Sequence, residues 1–114
     1  MEKYIIGMES VFEIIAEPNR RAILSLLAES ERSVSDIEQV LKIPQTTVSK
    51  HLRVLREGGF VSVSVDAQRR LYRLNSEPFA EIDGWLAQFR HYWSIQIDKL
   101  EKHLDGLDRE EDHE

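Results

Sequence analysis

The 114-residue sequence contains no cysteine. This absence excludes disulfide bridges, thiolate metal sites and cysteine nucleophiles, and it leaves the redox compartment undetermined. No apolar run approaches the roughly 18 residues that a membrane helix needs, and the first residues lack the basic stretch and apolar core of a signal peptide. Because a chain of this length suits one compact domain, we predict a soluble, cytoplasmic protein without a membrane partner.

Basic residues are in the minority, 15 against 21 acidic ones, which gives a formal net charge of −6. Their distribution is uneven, because residues 42–75 hold seven basic and two acidic side chains and carry +5, which leaves −11 for the rest. Salt screens charges beyond a Debye length of about 8 Å, so a DNA duplex would respond to the local patch more than to a distant acidic segment. The seven basic residues are Lys42, Lys50, Arg53, Arg56, Arg69, Arg70 and Arg73.

Hydrophobic periodicity predicts a mainly α-helical fold of five helices with one small β-hairpin. The predicted helices cover residues 8–16, 19–29, a short segment capped by Ser33 or Ser35, a segment opened by Pro44 and ended by Gly58-Gly59, and residues 76–107. Alternating valine and serine over residues 60–65 predicts a strand, followed by a turn over 66–69 and a returning strand over 70–74. In the second strand we expect Tyr72 and Leu74 to face inward.

Residues 33–59 have the spacing of a helix-turn-helix, and residues 60–74 would form a wing beside it. In the second helix, Val48, Leu52 and Leu55 follow one another at helical spacing and predict a buried stripe. The opposite face would then carry short polar side chains and cations, as a DNA-recognition helix does. We predict that Gln45, Thr46, Ser49 and Lys50 read bases, and that Thr47, His51, Arg53, Gln68, Arg69 and Arg70 contact the DNA backbone. A packed histidine remains the alternative for His51, which lies at the edge of the stripe.

The last predicted helix has apolar residues spaced by three and four positions for about 29 residues, which predicts a seam against a second copy of the chain. The predicted dimer interface comprises Val11, Phe12, Phe79, Ile82, Leu86, Phe89, Trp93, Ile97, Leu100 and Leu104. The aromatic residues Trp85, Phe89, Tyr92 and Trp93 have a second interpretation, as the lining of an inducer pocket. The acidic residues 108–114 are predicted to be a disordered tail.

Four segments in order resemble the ArsR/SmtB-type winged-helix repressors. Residues 12–27 are similar to the opening of that family, and Thr47-Val48-Ser49-Lys50-His51-Leu52-Arg53 to its recognition helix. Residues 69–74 are similar to its wing, and residues 85–93 to the terminal helix of a metal-independent, SdpR-like branch. The resemblance implies a homodimer that represses transcription by binding a palindromic operator. Such a dimer releases the operator DNA when an inducer binds.

The sequence departs from the metal sensors of that family at both of their metal sites. Ser33-Val34-Ser35 stands where the arsenic-type sensors have Cys-x-Cys, and serine is a poor ligand for soft metals. Phe89 stands two residues before His91 and Lys102 eleven residues after it, so the zinc-type Asp-x-His and the following histidine are missing. We therefore predict no metal and no cofactor, and two alternatives stay open for the signal: an autorepressor, or a regulator that answers a small apolar molecule or a protein.

Lys42 is a third departure, because relatives usually have glycine at this position. A left-handed lysine costs about 1 kcal/mol, so we expect a slightly different turn here.

The sequence argues against two other classes of function. An enzyme would need a catalytic pair, but Ser49 and His51 are two residues apart on one helix and point in different directions. The sequence also lacks a glycine-rich phosphate loop, so we predict no catalytic residues. A winged-helix protein-interaction module without specific DNA binding is the second alternative, and the basic bias of residues 42–75 argues against it.

Overall fold

A computed structural model describes residues 10–112, with side chains described through residue 107. The chain divides into two compact units. The first, Met1–Ile82, is called the winged unit here, and the second, Asp83–Glu114, the helical unit. The elements in order are α1 (Val11–Ile15), α2 (Pro18–Glu29), α3 (Val34–Leu41), α4 (Gln45–Glu57), β1 (Val61–Asp66), β2 (Arg69–Leu74) and α5 (Glu77–Asp112). Five helices and one antiparallel hairpin confirm the predicted fold class.

Side chains satisfy the free backbone groups at the junction of α1 and α2. The Ser10 hydroxyl accepts the Glu13 N–H at 3.2 Å, so α1 begins at Val11, and residues 8 and 9 of the predicted helix lie outside the described residues. Glu17 accepts the Arg20 N–H at 2.8 Å and caps α2, which includes Pro18 in its first turn. The Arg20 and Arg21 guanidinium groups donate to carbonyl oxygens at the end of α1. The two helices are thereby joined by polar contacts, which hydrophobic periodicity in the sequence does not reveal.

Ser33, one of the two predicted caps, begins α3 in a capping box with Asp36. The helix ends at Lys42, whose φ of 57° and ψ of 40° place it in the left-handed region. The expectation of a different turn at Lys42 is therefore wrong. The Lys42 N–H still donates to the Glu38 carbonyl at 2.9 Å, as in a regular helix, and the left-handed conformation of Lys42 then turns the chain out of the helix. Packing of α3 on α4 offsets a strain of about 1 kcal/mol.

The hydrophobic core lies wholly in the winged unit. The stripe predicted for α4 is buried: Val48, Leu52 and Leu55 are each 0–1% exposed. Phe60 is also fully buried, and the Phe79 ring meets it edge-on with centroids 5.3 Å apart. Three residues assigned to the dimer interface from the sequence, Val11, Phe79 and Ile82, are partly buried and pack against this core. Helical spacing shows that a face is apolar but not which surface covers it.

The wing is an antiparallel hairpin in which Val61 pairs with Leu74 and Asp66 with Arg69. A two-residue turn, tighter than the predicted four, connects the strands, and Ala67 takes a positive φ of 58° in it. Tyr72 is buried and Leu74 half-buried, as expected for inward-facing residues. The backbone of Arg32 pairs with that of Tyr72 through N–H···O distances of 2.8 and 3.2 Å. This bridge attaches the middle of β2 to the segment before α3.

In the helical unit, α5 continues to Asp112. It therefore runs past the predicted end at residue 107, and residues 108–112 are helical where the sequence predicted a disordered tail. Extending a formed helix costs little, because each added residue gains a hydrogen bond. Within this unit the ring centroids of Trp85 and Phe89 lie 4.9 Å apart, and those of Phe89 and Trp93 lie 6.1 Å apart. None of the described helices is long and apolar enough to span a bilayer.

Candidate nucleic-acid interface

The outward face of α4 carries the residues predicted to read bases. Because Val48, Leu52 and Leu55 face the core, the helix is fixed in rotation and its other side is solvent-facing. Four side chains, Gln45, Thr46, Ser49 and Lys50, are exposed there. Amide, hydroxyl and ammonium groups near the start of a helix can hydrogen-bond base edges in a major groove. The structure therefore brings all four predicted base-reading residues together on one accessible face.

The start of α4 also has a free positive end. Pro44 is the N-cap residue, and no side chain in the described part of the chain caps this helix. The Thr47 and Val48 N–H groups both donate to the Pro44 carbonyl at 3.0 Å. The earlier N–H groups of Gln45 and Thr46 remain directed outward, where the helix dipole favours an anion.

Two of the residues predicted to contact the DNA backbone lie on α4 itself. Thr47 is half-buried beside the exposed face, and Arg53 is exposed one turn after Ser49. The Arg53 guanidinium lies 3.8 Å from the Glu57 carboxylate, and both side chains are more than 70% exposed. A surface ion pair of this kind contributes only about 0–1 kcal/mol. Arg53 can therefore leave Glu57 for a phosphate at little cost.

His51 does not lie on the exposed face. Its side chain is only 13% exposed, and its Nε2 atom lies 3.6 Å from the carboxylate of Glu17 at the start of α2. Its Nδ1 atom is buried and has no hydrogen-bond partner among the described residues. The structure thus places His51 in the packed alternative, and its assignment to the DNA backbone is not supported. The sequence could not separate the two, because His51 lies at the border of the buried stripe.

Two of the three wing residues predicted to contact the DNA backbone are exposed, and the third makes an ion pair with another element. Gln68 and Arg70 are exposed. Arg69 instead reaches α3, where its Nη2 atom donates to Asp36 Oδ2 at 3.0 Å. Asp36 is a residue of this region that the sequence analysis missed as a partner of the wing. It lies 33 positions before Arg69, and no periodicity connects residues so far apart.

Asp36 is held in its charged form by its surroundings. Its carboxylate accepts the Ser33 N–H at 3.1 Å, and its own N–H donates to the Ser33 hydroxyl at 3.2 Å. Hydrogen bonding of the carboxylate to the backbone N–H and the side chain of Ser33, aided by the positive charges of Arg69 and Arg32, holds the pKa of Asp36 below its ordinary value of 3.8. The group beside Arg69 is therefore an anion throughout the neutral range.

The arrangement defines a class of protein. A helix-turn-helix fixed by one core, with a polar and basic face on its second helix and a basic hairpin after it, is a winged helix-turn-helix DNA-binding fold. The part of the chain that the structure describes holds no group of three histidine, aspartate or glutamate side chains able to bind a metal ion.

Comparison with known proteins identifies the family. Residues 17–63 match the model of the bacterial regulatory protein arsR family. The transcriptional repressor SdpR of Bacillus subtilis is 30% identical over 82 residues, covering 72% of this chain and 91% of that protein. The biofilm growth-associated repressor of Agrobacterium fabrum is 35% identical, covering 72% and 70%. The crystal structure of the repressor BigR from Xylella fastidiosa superposes with a TM-score of 0.59 at 30% identity, covering 73% of this chain and 82% of that one.

The chain belongs to the ArsR family of bacterial regulatory proteins. Its relatives are transcriptional regulators that bind DNA, so the prediction of a DNA-binding regulator rather than an enzyme is confirmed. Proteins of this family typically act as dimers.

Proposed function

We propose that this regulator acts as a homodimeric repressor that binds a palindromic operator. In this proposal, α4 of each protomer enters one major groove, and the dimer axis separates the two helices by about 34 Å, one turn of DNA. Gln45, Thr46, Ser49 and Lys50 read bases, while Thr47, Arg53, Gln68, Arg69 and Arg70 contact phosphates. A cytoplasmic location and an inducer, either a small molecule or a protein, remain predictions from the sequence.

The observation that carries the DNA-binding part is the outward face of α4. It places four hydrogen-bonding side chains at the start of a helix whose rotation is fixed by a buried stripe. The exposed Arg53 lies behind them on the same helix, and the exposed Arg70 lies on the wing. Phosphate contacts of this kind supply affinity, and base contacts near the helix start supply specificity.

The observation that supports a dimer is the apolar face of the helical unit. Trp93 is 48% exposed and Leu100 is 57% exposed. Large apolar side chains in such a row mark an interaction surface. A second copy offers the same face, and a two-fold axis through it gives a closed, self-complementary interface. From the sequence-predicted set, Leu86, Phe89, Trp93, Ile97, Leu100 and Leu104 belong to this unit and are assigned to the interface.

Phe12 is the remaining member of that predicted interface set. It is 38% exposed at the start of the winged unit. We keep it as a candidate interface residue, and Phe12→Ala should weaken the dimer less than changes on α5 do.

The experiment that tests the proposal is selection from a pool of random duplexes, followed by sequencing, at about 50 and 200 mM salt. We expect a palindromic motif with half-sites about one turn apart. Affinity should fall by about 10³–10⁵-fold between the two salt concentrations if six to ten phosphates are contacted. No enriched motif at either concentration would contradict specific DNA binding and favour a protein-interaction module.

Two single substitutions separate base contacts from phosphate contacts. Lys50→Ala should cost about 1–3 kcal/mol of operator binding and relax base preference at one position of each half-site. Arg70→Ala should weaken all duplexes alike and lower the salt slope by about one. A change of base preference in Arg70→Ala would show that the wing has been assigned wrongly.

A further inference from the structure

One ion pair fixes the turn end of the wing to the helix-turn-helix. The Arg69 Nη2 atom lies 3.0 Å from Asp36 Oδ2. In the described part of the chain, this is the polar contact that joins residues 65–70 to a helix. The bridge between Arg32 and Tyr72 holds the strand further from the turn. Loss of the ion pair would therefore free the turn end while the base of the hairpin stays attached.

The two partners differ in how firmly they are held. Asp36 belongs to the capping box of α3, in which its carboxylate accepts the Ser33 N–H and its backbone N–H donates to the Ser33 hydroxyl. The Arg69 side chain is 61% exposed and makes its one described polar contact with Asp36. A long, exposed side chain on a hairpin turn can swing away, whereas the carboxylate cannot follow it without breaking the cap.

The chemistry of the contact matches that of a phosphate contact. A carboxylate oxygen and a phosphate oxygen are both anionic acceptors of a guanidinium N–H, and arginine binds both with the same geometry. Arg69 is one of the wing residues proposed above to contact the DNA backbone. In the free protein its guanidinium already has an anion bound.

We propose that Asp36 is a latch that occupies the phosphate position at Arg69, so that DNA must displace the Asp36 carboxylate before the wing binds. The inference rests on the proposed function, since it takes Arg69 to contact DNA. The latch lowers the affinity for every duplex by the same factor, because a phosphate contact carries no base information. It therefore restrains non-specific binding without altering the base preference of α4.

The sign of the effect follows from the charges. When Arg69 moves to a phosphate, Asp36 loses this ion-pair partner, and its negative charge repels the duplex. Removal of that charge frees Arg69 and removes the repulsion, so both effects strengthen binding. Because exposed ion pairs contribute little and are screened by salt, we expect a gain of about two- to fivefold at 50 mM salt and a smaller gain at 200 mM.

The test compares four proteins on one selected operator and one unrelated duplex: wild type, Asp36→Asn, Arg69→Gln and the double variant. Asparagine keeps an oxygen that can accept the Ser33 N–H, so the capping box is retained. Asp36→Asn should bind both duplexes two- to fivefold more tightly, and the change should add little in the Arg69→Gln background. Glu38→Gln is the matched control, because it removes the same charge from α3 without touching Arg69.

Three results would overturn the latch. Weaker binding by Asp36→Asn would show that Asp36 positions Arg69 for DNA instead of competing with it. An equal gain in the Arg69→Gln background, or in Glu38→Gln, would show a general charge effect. Unchanged binding by Arg69→Gln would remove Arg69 from the interface and overturn the phosphate exchange.

Amide hydrogen exchange of the free protein separates failure of the latch from failure of the proposed function. Asp36→Asn should accelerate exchange at residues 66–70, while Glu38→Gln should not. Faster exchange together with absent DNA binding would mean that the contact exists but that the proposed function is wrong. Unchanged exchange would show that the contact does not restrain the wing, and the latch would be rejected even if DNA binds.

Discussion

The two units of the chain differ in whether the apolar face of a helix is buried or exposed within one protomer. In the winged unit, the apolar stripe of α4 is covered by the chain itself, and Leu52 is 1% exposed. In the helical unit an equally regular series leaves Trp93 and Leu100 about half exposed. A lone helix has nothing of its own to cover an apolar face. The stripe of α4 is thus covered within one protomer, whereas the apolar face of the helical unit is exposed there, as the proposed dimer interface requires.

The comparison shows what a hydrophobic pattern does and does not specify. It predicts which face of a helix is buried, but the surface that covers this face can belong to the same chain or to another one. Phe79 and Leu86 lie in one continuous series on α5. Phe79 packs against the core of the winged unit, and Leu86 belongs to the helical unit.

The largest expected effect comes from a charge placed in the helical unit. Trp93→Asp would bury an unpaired carboxylate in the proposed interface, which costs more than the dimer can offset. We expect a monomer in sedimentation and loss of operator binding, with the winged unit still folded by circular dichroism. Gln88→Asp is the control, because it adds the same charge on a different face of α5. A Trp93→Asp protein that remains dimeric would contradict the assigned interface.

The next effect compares a leucine from each unit. Leu52→Ala should lower the free energy of unfolding by about 2–5 kcal/mol, because it leaves a cavity in a packed core. Leu100→Ala should instead raise the dimer dissociation constant about tenfold or more, at about 1.4 kcal/mol per tenfold. Urea unfolding at several protein concentrations distinguishes them, since only the second loss depends on concentration. If Leu100→Ala lowered stability equally at every concentration, its side chain would be covered within the protomer.

Most of the fold could be predicted from the sequence because its signals are local. The Ser33 cap, the Pro44 start, the glycine pair at 58 and 59 and the valine–serine alternation each act within a few residues. Gly59 has the positive φ of 80° that such a stop requires. The exposed face of α4 followed in turn from its buried stripe.

The remaining features depend on contacts between distant residues, which no local pattern encodes. The Glu17 carboxylate near His51 and the Asp36 carboxylate beside Arg69 each come from another element of the fold. In the sequence, each of these two carboxylates looks like an ordinary polar surface residue. The left-handed Lys42 was missed for a different reason, because a small local strain is tolerated when tertiary packing demands the turn.

That strain gives a smaller prediction within the winged unit. Lys42→Gly should raise the free energy of unfolding by up to about 1 kcal/mol, because glycine takes a positive φ without a side-chain clash. The gain is reduced by the larger entropy of an unfolded glycine. Ala67→Gly is a matched test at the other positive-φ position, with φ of 58° in the wing turn. Chemical denaturation measures both changes, and a Lys42→Gly protein that is less stable than wild type would contradict the assigned turn.

The smallest effect is an acid dependence confined to the winged unit. Asp36 has a folded pKa below its ordinary value of 3.8 because it accepts the Ser33 N–H and lies beside Arg69. The unfolded chain therefore takes up this proton at a higher pH than the folded one does. Its contribution to stability is fully present above pH 3.8 and is lost as the pH falls through the lower folded value.

Urea unfolding between pH 2.5 and 7 should show wild type more stable than Asp36→Asn by a constant amount above pH 5, with the difference shrinking below pH 4. Glu38→Gln keeps Asp36, so this variant should still lose the stability contributed by Asp36 as the pH falls. A difference that stays constant to pH 2.5 would show that the stabilising contact of Asp36 does not depend on its charge.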